Sequence, residues 1–224
     1  MFSRLMGRKS RGPVRRDTCL FAALAGASLV CAWAVGIFVD QRDLIYSIIL
    51  PTSYLLLGML IKYGDQAFDA NVYSQHNAIA LALPGGLWMG AIMLYDAGTT
   101  MIFVGLLIGL LVAHKYDNGS FQLAFIVAMA MGVAALLMRD SLSVLGIASV
   151  IILAVLDEKI DSLPVDENTV ISKLFHQRPM LKIGVLILCV AGMLPSFMYL
   201  FAFLSFDFGY SLVDVVSTSR SYDG

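Results

Sequence analysis

Apolar residues run through the chain in seven stretches: Thr18–Phe38, Leu44–Ile61, Asn77–Leu94, Thr99–His114, Phe121–Met138, Ser141–Leu156 and Ile183–Phe206. The segments between them hold nearly all the charge. A helix rises about 1.5 Å per residue, so about 20 apolar residues cross a hydrocarbon core about 30 Å thick with every backbone group bonded internally. The pattern predicts an all-α fold, a polytopic transmembrane helix bundle of about seven spans. The fourth and sixth stretches, about 16 residues each, cover only about 24 Å. They require little tilt, shielding by neighbouring helices, or a locally thinned bilayer. A re-entrant pair in place of two spans is the alternative.

Composition supports a lipid environment. Hydrophobic residues make up 59% and charged residues 14%, with mean hydropathy +0.82, against about 45–50% and 25% in soluble domains. The charges also orient the chain, because short loops rich in Lys and Arg stay cytoplasmic. Arg4, Arg8, Lys9, Arg11, Arg15 and Arg16 precede the first stretch, and Asp40, Arg42 and Asp43 follow it. The N-terminus is therefore expected inside. Alternation puts Lys62, Lys115, Lys159, Lys173, Arg178 and Lys182 on the same side, with Arg42, Arg139 and Arg220 opposite. Three segments result: a basic cytoplasmic segment (1–17), a transmembrane helical domain (18–206) and a flexible extracytoplasmic tail (207–224). The first stretch lacks a clear small-residue cleavage site before Asp40 and reads as a retained helix rather than a signal peptide. Short loops and the strong charge bias favour a bacterial or archaeal cytoplasmic membrane.

Within the predicted spans there is no charge, which disfavours a carrier with a mid-membrane acidic relay. Asp96, His114, Arg139, Asp140 and Asp157 all fall at span ends. Pro84, in Pro84-Gly85-Gly86, and Pro195 sit near the middles of two spans and are expected to bend them. Broken helices of this kind line substrate sites in carriers, which makes Pro84, Gly85, Gly86 and Pro195 candidates for a substrate pathway. Small residues four apart, Gly86–Gly90, Gly105–Gly109, Ala128–Gly132 and Ala130–Ala134, offer faces for close helix packing within the chain, with a second copy or with a membrane partner.

Cys19, Cys31 and Cys189 lie in apolar surroundings without metal-type spacing and read as buried small residues. His76, His114 and His176 form no ligand pair. Tyr95-Asp96 and Tyr116-Asp117 echo each other around the fourth span, but a helix of about 16 residues would hold those aspartates on opposite membrane faces, so they do not form a protease dyad. Turn chemistry explains them better, with Thr99 or Ser120 capping the next helix.

Two acidic motifs fall on the same predicted side: Asp65-x-x-x-Asp69 after the second span, and Asp157-Glu158-x-x-Asp161 after the sixth. Carboxylates four apart on a helix share a side and suit Mg²⁺ bound with phosphates. Lys62, Lys159, Lys173 and Arg178 are close in sequence for a diphosphate. The arrangement is similar to the UbiA-like membrane prenyltransferases, which carry Asp-x-x-x-Asp motifs after their second and sixth helices. The resemblance implies isoprenoid transfer with Asp65, Asp69, Asp157 and Asp161 as the metal positions. The chain departs from that family in carrying Ile61 where the first motif begins with Asn, and in having fewer spans.

The last cytoplasmic loop, 157–182, is expected to hold one short interfacial helix, opened by Pro164 and stopped by Pro179, with Val170, Ile171, Leu174 and Phe175 as its apolar stripe. No nucleotide-binding glycine loop or nucleophile elbow occurs, and only the basic N-terminal run could attract nucleic acid. These features point first to a noncatalytic integral subunit of a larger membrane complex or translocation apparatus, needing no cofactor. A small-solute transporter or channel at the Pro84 and Pro195 breaks comes second. A Mg²⁺-dependent prenyl- or phospho-transferase comes third.

Overall fold

The computed structural model describes residues 11–114, 119–139, 142–161 and 178–221, and these are almost wholly helical. In chain order the helices are α1 (Arg11–Ala34, continued by a π-helical turn Val35–Val39), α2 (Leu44–Phe68), α3 (Gln75–Tyr95), α4 (Ala97–Val112), α5 (Gly119–Leu137), α6 (Val144–Asp161), α7 (Pro179–Val190) and α8 (Met198–Ser221). The chain is membrane-embedded: the stretches Arg16–Val39, Leu44–Phe68, Gln75–Tyr95 and Met198–Thr218 are long and apolar enough to cross a bilayer, and Ala97–Val112, Phe121–Leu137 and Pro179–Val190 are shorter apolar helices. Val30, Phe38, Ile45, Leu56, Ile79 and Trp88 are exposed, as side chains that face acyl chains would be.

Local chemistry fixes the starts of these helices. The Asp43 carboxylate accepts from the Tyr46 amide at 3.1 Å and the Ser74 hydroxyl from the Asn77 amide at 3.4 Å. Each satisfies one of the amide groups left over at a helix start. The α3–α4 junction is tighter. Asp96 ends α3 and caps α4, its Oδ2 accepting from the Thr99 amide at 2.6 Å. The cap is therefore Asp96 rather than Thr99, because the carboxylate precedes the first turn and Thr99 supplies the amide. Ser120 falls where no side chain is described.

The largest departure from expectation concerns the last predicted span. Ile183–Phe206 is not one bent helix but two antiparallel ones, with α7 ending at Val190 and α8 beginning at Met198. Gly192, at φ +71°, makes the reversal possible. Its amide donates to Cys189 O at 3.1 Å and the Met193 amide to Leu188 O at 3.0 Å, the paired bonds of a glycine-terminated helix end. Pro195 then follows, and Ser196 Oγ accepts from the Met198 amide at 2.8 Å. The antiparallel course is visible in side-chain pairs: Cys189 Sγ meets Ser196 O at 3.3 Å, Lys182 meets Asp207 at 2.6 Å, and Arg178 lies 4.8 Å from the Tyr210 ring centre. Apolar residues continue past the turn in both directions, so hydropathy alone merged the two helices. Residues 207–221, read as a tail, continue α8.

Pro179 is likewise the first residue of α7 rather than the end of an interfacial helix. Its fixed φ and missing amide suit that position. The rest of the proposed interfacial helix lies outside the described residues. Pro84 sits inside an unbroken α3, and Pro51, not singled out from the sequence, inside an unbroken α2.

Close backbone approaches set the packing. An added Cβ on Gly58 would lie 2.0 Å from Phe206 O, locking α2 against α8. One on Gly86 would lie 2.6 Å from Ala124 O, and one on Gly90 2.3 Å from Met131 Sδ, so α3 rests on α5. Gly105 and Gly109 meet Val150 and Ala154 of α6, and Gly132 meets Val104. These faces are used within the chain. Of the predicted set, the Ala130–Ala134 stripe of α5 remains open, with Ala130 exposed. Cys19 and Cys31 are also exposed, not buried, because α1 turns them away from α8, whereas Cys189 is buried as expected.

Candidate functional site: two polar layers and an apolar cleft

At the end of the bundle where α3 meets α4, buried Asp96 is a hub. Besides capping α4, its Oδ1 accepts from the hydroxyls of Tyr46 (α2) and Tyr199 (α8), both at 2.7 Å. Those hydroxyls stand 3.0 Å apart, and Arg42 Nη1 donates to Tyr46 at 3.1 Å. Burial works against the Arg42 charge, but Tyr199, Tyr46, Asp40 and Asp96 outweigh it and hold its pKa above the ordinary arginine value. Tyr54 donates to Thr99 at 3.2 Å, and Ser196 donates to Asp40. Beside the hub, Arg139 closes the end of α3, donating to Met93 O at 2.8 Å and Leu94 O at 2.5 Å. Four separate helices thus converge on one carboxylate and its neighbours.

The opposite end is built from ion pairs. Lys182 of α7 meets Asp207 of α8 at 2.6 Å, with the aspartate 1% exposed. One helical turn further on, Tyr210 donates to Asp65 at 3.2 Å, and Lys62 meets Asp214 at 3.0 Å. Gln66 also donates to Asp214, at 2.9 Å. Arg178, held in the left-handed region at φ +51°, packs its guanidinium over Tyr210 and, at 5.8 Å, over Phe206. Burial opposes its charge, yet Tyr210, Asp207, Glu158 and Asp65 more than offset that and raise its pKa. Its Nη1 is buried without a hydrogen-bond partner among the described residues. Asp157 is committed differently: its two oxygens accept from the Met180 and Leu181 amides, each at 2.8 Å, capping α7 from α6.

Asp207 overturns the reading that the spans carry no interior charge. Asp207 lies within the stretch Met198–Thr218. It escaped notice because the predicted span stopped one residue short of it. A signal was present all the same: Asp207, Tyr210 and Asp214 recur at three and four residues along an otherwise apolar run, which puts them on one helix face.

An apolar cleft of about 60 Å³ opens between α2, α3, α4 and α5. Gly85 and Gly86 line it, as do Tyr63 and Asp65 at its polar end. Of the substrate-pathway candidates, Pro84 is on the adjoining turn of α3, and Pro195 lies far off, between α7 and α8. Of the candidate metal positions, Asp65 serves Tyr210, Asp157 serves α7, and Asp69 is exposed at the end of α2. Asp161 is the last residue of α6, and its side chain is outside the described set. No group of three or more His, Cys, Asp or Glu among the described residues is placed to hold a metal ion.

Comparison with protein-family models, curated proteins and solved structures gives no match.

Proposed function

We propose that the chain is a noncatalytic integral subunit of a larger membrane assembly or translocation apparatus, in a bacterial or archaeal cytoplasmic membrane. One observation carries this reading: the carboxylates best placed for chemistry are occupied in joining helices. Asp96 serves two tyrosines and an N-terminus, Asp157 serves two backbone amides, and Asp207 serves Lys182. A catalytic acid or nucleophile needs a free valence toward substrate; Asp96 and Asp157 have both oxygens engaged, and Asp207 is ion-paired with Lys182. The Ala130–Ala134 stripe on α5, with Ala130 exposed and Ala134 half-buried and flanked by exposed Ile126, Val133 and Leu137, is a surface on which a partner helix can approach closely. With the start of α1 on the cytoplasmic side and the eight helices of the described residues alternating, α7 short, α8 runs back toward that side.

The test is extraction at native expression into nanodiscs, followed by native mass measurement and identification of associated chains. A stoichiometric partner supports the reading; a lone monomer or homo-oligomer contradicts it.

A second reading, a small-solute carrier, is favoured by a different observation. Ionisable groups inside a membrane segment mark solute or proton pathways, and Asp207 is one, with Lys182 and the incompletely bonded Arg178 beside it at the start of α7. The carrier reading moves from the prolines to this cluster of charges. Solute-dependent quenching of Trp33 and Trp88 fluorescence, lost in Asp207→Asn, would favour it; an unresponsive signal across charged and neutral metabolite pools would remove it.

A further inference from the structure

Helix α8 has both α1 and α7 as neighbours, and the two follow it for different lengths. α1 runs beside it from Met198, whose Sδ lies 2.9 Å from the Cβ position of Gly36, past Phe208, which packs with Phe21 and Ala25, to Leu212 and Val215. α7 stops sooner. Cys189 meets Ser196, Lys182 meets Asp207, and Arg178, at the start of α7, covers Tyr210. At about 1.5 Å per residue, the 12 residues of α7 cover about 18 Å, and the apolar run Thr18–Phe38 of α1 covers about 30 Å. At the α7–α8 reversal exposed Ala191 and Phe197 prolong the apolar wall, so the shortfall lies at the Arg178 end.

The outward face of α7 suits acyl chains rather than another helix. It consists of Ile183, Leu186, Ile187 and Val190, all exposed, whereas its glycine, Gly184, is turned inward, where an added Cβ would lie 2.1 Å from Leu153 Cδ1 of α6. Close helix pairing in this molecule runs through small residues such as Gly58, Gly86 and Gly105, as is usual in lipid, and α7 offers none to the outside. Where that face begins, it is charged: the Lys182 side chain is 17% exposed. In a bilayer of uniform thickness Lys182 would lie among acyl chains, where a charge costs most, and the cost falls as headgroups and water come near. Drawing the bilayer in around a short span costs little per ångström. We propose that α7 is a short lipid wall against which the bilayer is thinned by about 6 Å at the Arg178 end, while it keeps its full thickness along α1. The inference concerns lipid alone and holds with or without a partner on α5.

The test compares two nitroxide labels at nearly the same height on α8, in the full-length protein reconstituted into phosphatidylcholine vesicles. Ile183→Cys on α7 adjoins Lys182, which meets Asp207, and Gly26→Cys on α1 adjoins Ala25, which packs with Phe208. Each is made in a background of Cys19→Ala and Cys31→Ala, both exposed positions, while buried Cys189 is left in place. Ile183 is 49% exposed, and an added Cβ on Gly26 meets nothing within 4 Å, so both variants should unfold at the temperature of their parent. Depth is read by power-saturation EPR from the relative accessibility of each label to oxygen, which collects in hydrocarbon, and to a water-soluble nickel chelate. Ile183 lies about 6 Å from the start of α7 at Pro179, and Gly26 about 12 Å from the start of the apolar run at Thr18. The expected result is therefore an α7 label about 6 Å shallower than the α1 label. Equal depths, or a deeper α7 label, overturn the proposal. So does an α7 label shielded from both oxygen and the nickel chelate, which would mean that protein, not lipid, covers this face.

Discussion

The two polar layers solve one problem by different chemistry. Around Asp96, a single carboxylate gathers neutral hydroxyls and a helix N-terminus, so one desolvated charge is met by several hydrogen bonds. Around Asp207, charges are matched pair by pair, Lys182 with Asp207 and Lys62 with Asp214, and aromatic faces cover Arg178. A hub concentrates stability in one residue. Pairs spread it, and they allow each pair to be replaced as a unit, because a buried ion pair and a well-packed apolar pair differ little in net energy.

That contrast orders the expected effects. Asp96→Ala removes a helix cap and strands the Tyr46 and Tyr199 hydroxyls, and should cost about 4 kcal/mol in unfolding measured by denaturant titration in lipid nanodiscs. A loss below about 1 kcal/mol would dissolve the distinction between hub and pairs. Lys182→Met leaves Asp207 charged and buried and should cost about 3 kcal/mol in the same measurement. Tyr199→Phe removes one of the hub's donors while Tyr46 remains, and should cost about 1 kcal/mol, visible as a small fall in unfolding midpoint. At the bottom of the scale stands the partly exposed Lys62–Asp214 pair. There Asp214→Asn should cost less than about 1 kcal/mol, and raising salt in the assay should shrink the difference further.

The helices were legible because apolar runs bounded by Asp43, Ser74 and Asp96 carry their own start signals. The α7–α8 reversal was not, although Gly192 and Pro195 stand at the usual places for a helix stop. In this chain the apolar run does not lapse at the turn, where Ala191, Met193, Leu194 and Phe197 continue it, so hydropathy gives no boundary there. The same merger hid Asp207 by placing it outside the span. Asp96 was legible as a turn residue but not as a hub, since Tyr46 and Tyr199 are brought to it only by tertiary packing. The Asp65 and Asp157 motifs illustrate the converse: their spacing was real, yet the fold sends one to a tyrosine and the other to the amides of α7.

The claim beneath this account is that the buried polar groups exist to join helices. A double-mutant cycle of Lys182→Met and Asp207→Leu, read as unfolding free energy in nanodiscs, tests it most directly. The account predicts a loss of about 3 kcal/mol for each single variant and a double variant close to the unsubstituted protein in stability, so that the coupling equals the two single losses together. Additive losses, leaving the double variant less stable than either single one, would contradict it.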